Sequence, residues 1–204
     1  MIRIGVTGGI GSGKSVVCRL LEVFGVPVYD ADSESKRLSE TAPEIIDGLK
    51  KLFGEDIYCD GRLDRPRLAS YIFANEKLLA KVNAIIHPVV FRDFRRWAVE
   101  TDSLSPREAI CTGIVAIESA ILFESGLDSE VDVSIAVTAP VELRLTRAMQ
   151  RDSASEAEIM KRMNRQMPDE IVRNKADFII HNDDARPIIP QLEAILRRIL
   201  DFRF

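Results

Sequence analysis

The stretch GGIGSGKS, residues 8–15, constrains this chain more than any other. It fits G-x-x-x-x-G-K-S/T, with Gly8, Gly13, Lys14 and Ser15 at the fixed positions. Before it Ile2, Ile4 and Val6 alternate as in a short buried strand. After it Val17, Leu20, Leu21 and Phe24 recur at i, i+3, i+4 and i+7, which predicts one face of a helix. Gly25 supplies that helix's stop. A strand, a glycine loop and a helix N-terminus in that order make a cradle for phosphate. Glycine lets the backbone turn its N–H groups inward without a Cβ clash, and the helix dipole favours an anion. The N–H groups of Gly11, Ser12, Gly13, Lys14, Ser15 and Val16 are expected around the α- and β-phosphates of a nucleotide. Lys14 is expected to bridge the β- and γ-phosphates, and the Ser15 hydroxyl to ligate Mg²⁺. A dinucleotide fingerprint is excluded, because Lys14 stands where the last glycine of that motif is needed.

Beyond the loop, short apolar runs alternate with helical patterns. VPVYD (26–30), the start of GIVAIESAILFE (113–124), VDVSIAVT (131–138) and ADFIIHN (176–182) read as further strands. The alternation predicts an α/β fold: a five-stranded parallel sheet flanked by helices. Residues 35–105 are helical in pattern and too long for a simple crossover, which predicts an inserted helical lobe. Within it Thr41 is expected to cap a helix at TAPE, 53–65 to be turn-rich, Pro88 to break the periodicity of 66–100, and 101–106 to be loop. A long charged stretch separates the fourth and fifth strands, with a helix restart at SASE (153–156) capped by Ser153, and 186–202 reads as a last amphipathic helix. The expected limits are a core of 1–34, 107–144 and 171–204, a lobe of 35–106 and a lid of 145–170.

Composition narrows the classes of function. Apolar residues at 46% and charged residues at 29% of 204 suit an ordinary soluble protein. A net charge of −4 gives no broad attraction to nucleic acid or to an anionic membrane. No apolar run approaches the ~18 residues of a membrane span. MIRIGVTGG lacks the features of a signal peptide. Cys18, Cys59 and Cys111 fit neither a disulfide framework nor metal spacing and read as reduced thiols, so a cytoplasmic protein is expected.

What receives the phosphate is the next question. NKAD (174–177) matches a guanine-reading pattern but precedes its strand instead of following it, and D-x-x-G occurs nowhere, which argues against a GTPase. VYDADSE places Asp30, Asp32 and Glu34 at the end of the second strand, on the sheet edge where ligands sit. Asp30 and Asp32 are expected to face the γ-phosphate. A carboxylate there can take the proton of an attacking hydroxyl or hold a water on Mg²⁺. The alternative is a helix cap by Asp32 or Ser33. Transfer also needs mobile positive charge. Arg144, Arg147 and Arg151 lie near one helical face in RLTRAMQRD. The alternative there is a solvated charged helix, Arg144 above all. Arg147 can stack on adenine or reach phosphate.

Taken together these residues resemble the dephospho-CoA kinase family, P-loop small-molecule kinases built on a P-loop NTPase core. The resemblance rests on GVTGGIGSGKS (5–15), VYDAD (28–32), GRLDRPRLASYIF (61–73), IIHP (85–88), ILFESG (121–126), RAMQRD (147–152) and ADFIIHND (176–183). It implies transfer of the γ-phosphate of ATP to the ribose 3′-hydroxyl of dephospho-CoA, with a nucleotide core, a helical acceptor lobe and a helical lid. It implies Asp32 as base, Lys14, Arg147 and Arg151 on the phosphates, Asn182 among the ATP-binding residues, and Arg65 and His87 in the acceptor lobe. Mg²⁺ is the implied cofactor; ATP and dephospho-CoA are the implied partners, with no nucleic acid and no membrane, and the oligomeric state is open. Three positions depart from the family. Val16 follows Ser15 where threonine is usual, Ala120 stands where the family has proline, and Glu118 is an added acid that either reaches Mg²⁺ through water or is buried and paired. A nucleoside or nucleotide kinase, and a nucleotide-binding regulator without transfer, are the rival readings.

Overall fold

A computed structural model of the protein describes residues 1–73, 75–104, 111 and 113–201. In chain order its main elements are β1 (Ile2–Thr7), α1 (Lys14–Val23), β2 (Val28–Asp30), α2 (Ala31–Thr41), α3 (Pro43–Phe53), β3 (Tyr58–Cys59), β4 (Arg62–Leu63), α4 (Arg65–Ile72), α5 (Glu76–Leu104), β5 (Ile114–Glu118), β6 (Val133–Thr138), α6 (Val141–Asp152), α7 (Glu156–Met163), α8 (Asp169–Lys175), β7 (Phe178–His181) and α9 (Ile188–Asp201). The chain divides into two compact units, Met1–Tyr29 with Ala98–Phe204, and Asp30–Trp97.

The first unit carries a five-stranded parallel sheet in the order β2-β5-β1-β6-β7. β1 is the central strand. It pairs with β5 from Ile2 opposite Ile114 to Val6 opposite Glu118, and with β6 from Ile4 opposite Val133 to Thr7 opposite Ala136. The loop after β1 therefore leaves the sheet where the strand order reverses, the place at which such sheets bind ligands. Strands buried on both faces read as near-continuous apolar runs, as IVAI and VSIAV do here. Val17 and Leu21 of α1 and Leu192, Ile195 and Leu196 of α9 join Ile4 and Ile135 in the core. Each such aliphatic side chain contributes about 1.5–3 kcal/mol by leaving water. At the far edge Asp177 accepts from the N–H and the hydroxyl of Ser134, at 2.8 and 2.6 Å. The NKAD aspartate thus ties β7 to the start of β6, opposite the ligand edge.

The second unit contains α2, α3, α4, the β3–β4 hairpin and α5 as far as Trp97. Ile45, Leu49, Ile57, Val82 and Phe94 fill its interior. Pro88 does not break α5, which runs through it to Leu104. Buried Val82, Val89, Val90 and Phe94 on either side outweigh the local cost of the missing N–H. So 101–104 is helix, and the rest of the expected 101–106 loop, like the 106/107 boundary, lies outside the described residues. The turn-rich segment forms the hairpin Tyr58–Leu63.

Two expected caps move. Thr41 ends α2, its hydroxyl donating to Arg37 O at 2.9 Å, and α3 opens at Ala42 with Pro43 pre-set for the first helical position. Ser153 closes α6 in a left-handed conformation (φ +50°), so α7 is capped two residues later by Ser155 in a reciprocal box with Glu158.

Candidate active site

The loop between β1 and α1 is built for glycine. Gly11 (φ +77°) and Gly13 (φ +92°) lie in the left-handed region, and a Cβ would meet Arg144 O at 2.1 Å in the first case and Asn182 Nδ2 at 2.0 Å in the second. Gly13 caps α1 with no side chain, which leaves the N–H groups of Lys14 and Ser15 to an outside anion. The N–H groups of Ser12 and Val16 donate within the loop, to Gly9 O (3.1 Å) and Gly13 O (3.0 Å). The Ser12 hydroxyl, 1% exposed, has no hydrogen-bond partner among the described residues. A buried polar atom without a partner fits a loop that is completed by a ligand. Lys14 and Ser15 follow on the first turn of α1.

The Ser15 hydroxyl donates to Glu118 Oε1 at 3.1 Å. Its proton being committed there, its lone pairs suit a hard cation. Among the described residues no group of three or more His, Cys, Asp or Glu forms a metal cage. One hydroxyl with a carboxylate behind it fits Mg²⁺, which keeps waters and takes other ligands from phosphates. Cys18, one turn along α1, is buried. Burial first, and then the Glu118 charge, push its thiol far above the usual range.

Downstream side chains hold the loop from behind. Arg144, expected among solvated charges, is 4% exposed: its Nε donates to Ile10 O at 2.9 Å and its Nη1 pairs with Asp169. Ile10 is 134 residues away in sequence, so the helical pattern around Arg144 gave no sign of it. Gln166, which the motif reading missed, accepts the Ile10 N–H at 2.8 Å. Asn182 Nδ2 donates to Ser12 O at 2.8 Å. Arg147 donates to Asn182 O at 3.0 Å and to Asp184 at 2.5 Å. Arg151 pairs with Asp152, which also takes Arg162. At Ala120, the turn is closed by Ser119 N–H on Val6 O (3.0 Å) and Ile121 N–H on the Ser119 hydroxyl (3.3 Å).

In the second unit the N-cap of α2 is Asp30. Its carboxylate accepts from the N–H groups of Asp32 and Ser33 at 3.0 and 3.1 Å, and from the Ser33 hydroxyl at 2.6 Å. Neither Asp32 nor Ser33 is the cap; Asp32 sits in the first helical turn. Arg65 donates to Lys36 O (3.0 Å) and pairs with Glu40 (2.9 Å). The half-buried His87 stacks on Phe91 with ring centroids 6.0 Å apart.

This sheet order, with its glycine loop and the hydroxyl–carboxylate pair beside it, defines a P-loop nucleotide-binding fold of the kinase type. The dephospho-CoA kinase family profile matches residues 2–187. Dephospho-CoA kinase of Bacteroides fragilis is 49% identical over 191 residues, 94% of this chain and 89% of that protein. That of Porphyromonas gingivalis is 42% identical over 200 residues, 98% and 95% of the two. A crystal structure from Thermus thermophilus superposes with a TM-score of 0.78 at 35% identity, covering 98% of this chain and 96% of that one. Dephospho-CoA kinase from Campylobacter jejuni shares the fold, with a TM-score of 0.66 at 23% identity, covering 99% and 98%. The chain belongs to the dephospho-CoA kinase family. Its activity is the ATP-dependent phosphorylation of dephospho-CoA at the ribose 3′-hydroxyl, giving CoA and ADP, the last step of CoA biosynthesis. No helix among the described residues is long and apolar enough to cross a membrane.

Proposed function

We propose that Asp32 is the general base of this transfer and that Lys14, Arg147 and Arg151 hold the phosphates. The Asp32 carboxylate takes the proton of the ribose 3′-hydroxyl. The alkoxide oxygen bonds to the γ-phosphorus while the bond to the β–γ bridging oxygen breaks, and ADP leaves with that electron pair. The observation that carries the reading is the cap of α2: Asp30 already satisfies the N–H groups of Asp32 and Ser33, so capping does not account for an acid at 32.

Lys14 and the N–H groups of Gly13, Lys14 and Ser15 hold ATP, with Gly8, Gly11, Ser12 and Val16, whose own N–H closes on Gly13 O, shaping the cradle. Ser15 Oγ, with Glu118 behind it through water, would hold Mg²⁺, which would supply neutralising charge for the phosphates. Arg147 and Asn182 flank the nucleotide. The exposed Arg151–Asp152 pair is worth at most about 1 kcal/mol, so a phosphate can displace it. Arg65 and His87 belong to the acceptor-binding residues, and ATP and dephospho-CoA are the partners of a cytoplasmic enzyme. The free thiols of Cys18, Cys59 and Cys111 support that compartment.

The test is Asp32→Asn, assayed with dephospho-CoA, AMP, CMP and a nucleoside as acceptors. ATP affinity should be kept, and turnover should fall about 10²–10⁴-fold, the usual contribution of a positioned base. Turnover within about threefold of wild type removes the base role, and faster wild-type turnover of a nucleotide than of dephospho-CoA overturns the acceptor assignment.

A further inference from the structure

We propose that Gln166 is a positioning residue for phosphoryl transfer: it sets the phosphate loop through the Ile10 N–H and touches neither substrate. The inference rests on the reading that residues 8–15 receive the phosphates of ATP. The two peptide groups that flank the Ile10 Cα are each gripped by a distant side chain. Its N–H donates to Gln166 Oε1 at 2.8 Å, and its carbonyl accepts from Arg144 Nε at 2.9 Å. Arg144 is in turn paired with Asp169. The short segment from Gln166 to Asp169 therefore supplies one grip directly and orients the other.

That segment is anchored elsewhere too. Gln166 Nε2 donates to Ala120 O at 3.4 Å, and the Met167 N–H donates to Glu124 at 2.9 Å. Both contacts lie on the loop that follows β5, the strand ending in Glu118. One side chain thus joins the phosphate loop to the turn beside the Ser15–Glu118 pair. Its chemistry suits the position, since glutamine accepts through one atom and donates through the other. Leucine of similar size offers neither, and glutamate keeps only the acceptor. The consequence for rate follows from the next residue. Gly11 is held at φ +77°, and the Gly9–Ile10 peptide bound by Gln166, with the Ile10–Gly11 peptide bound by Arg144, sets the direction of the amides that follow. Displacements near 1 Å in such a site cost about 100-fold in rate.

The test uses Gln166→Leu and Gln166→Glu in the full chain, with Lys14→Ala as the control on the loop itself. For Gln166→Leu, kcat/KM for ATP should fall about 10- to 100-fold. KM for dephospho-CoA and the thermal midpoint should stay close to wild type, and exchange protection of the Ile10 amide should be lost. Gln166→Glu should restore the Ile10 protection and part of the rate. Wild-type kcat/KM in the leucine variant overturns the proposal. So does a loss shared equally by both substrates and the thermal midpoint, without recovery in the glutamate variant. Should the leucine variant not fold, the glutamate variant decides: an unprotected Ile10 amide with unchanged kcat/KM for ATP overturns the role, and a protected amide with a loss confined to ATP supports it. Full turnover by Lys14→Ala would instead strike at the loop reading on which the inference stands.

Discussion

The hydroxyl of Ser15 reaches Glu118 across 3.1 Å, joining the first turn of α1 to the last residue of β5. The carboxylate thereby orients the hydroxyl proposed above as a Mg²⁺ ligand. Glu118→Gln keeps an acceptor for that hydroxyl and removes the charge. The Mg²⁺ concentration for half-maximal rate should rise about 10- to 100-fold, as for other groups that orient a metal ligand, with the rate recovering at high Mg²⁺. Initial rates against Mg²⁺ check this; an unchanged curve confines Glu118 to pairing with Ser15 and Cys18.

Arg144 should matter for stability before it matters for rate. It is buried, and its two partners, Ile10 O and Asp169, are left behind when it is cut back. Breaking a fully buried pair costs about 3–5 kcal/mol, but the Asp169 side chain is 34% exposed, so about 2 kcal/mol is expected for Arg144→Met. Urea denaturation at pH 7 measures it, and a loss below about 0.5 kcal/mol would show that the pair is replaced by solvent.

Acid should loosen the α6–α7 connection late. Hydrogen bonds from Arg151 and then Arg162 hold Asp152 at about 2, below its ordinary value. A carboxylate depressed in the folded state stabilises fully above the unfolded pKa near 3.9 and loses that contribution as pH falls through the folded value. The difference in thermal midpoint between wild type and Asp152→Asn should be constant from about pH 7 to 5, and close between about pH 4 and 2. A difference that persists at the lowest pH assigns the effect to packing.

Thiol reactivity should separate the cysteines. Cys59 is exposed, whereas Cys18 and Cys111 are buried and the Cys18 thiol is pushed up by burial and by Glu118. An aromatic disulfide reagent at pH 8 should label one thiol quickly in the native protein and the remainder only on unfolding, because the thiolate is the reactive form. Rapid native labelling of Cys18 would mean that α1 opens readily from the sheet.

Much of the fold was legible because its signals are local. The loop's G-x-x-x-x-G-K-S spacing, the apolar strands and the face formed by Val17, Leu20, Leu21 and Phe24 each depend on a few neighbouring residues. Local signals failed where two of them competed. Both SASE and the serine two residues later offer a cap with a glutamate three positions on, and the left-handed Ser153 that ends α6 decides for Ser155. Pro88 reads as a break in isolation, and only the packing of Val89, Val90 and Phe94 explains why α5 continues.

The sequence by itself determined the chemistry that this chain can bring to bear: a glycine-turned nest of amides, a lysine, a serine hydroxyl beside it, and acids at a strand end. Tertiary structure alone decided which side chains hold that nest in shape. Arg144, Gln166 and Asn182 reach Ile10 and Ser12 from 134, 156 and 170 residues away, and each bond is a single contact with no periodic trace. The reason is physical. A helix or a turn is specified by repeated neighbours along the chain, whereas a hydrogen bond between distant segments exists only once the sheet has brought their ends together.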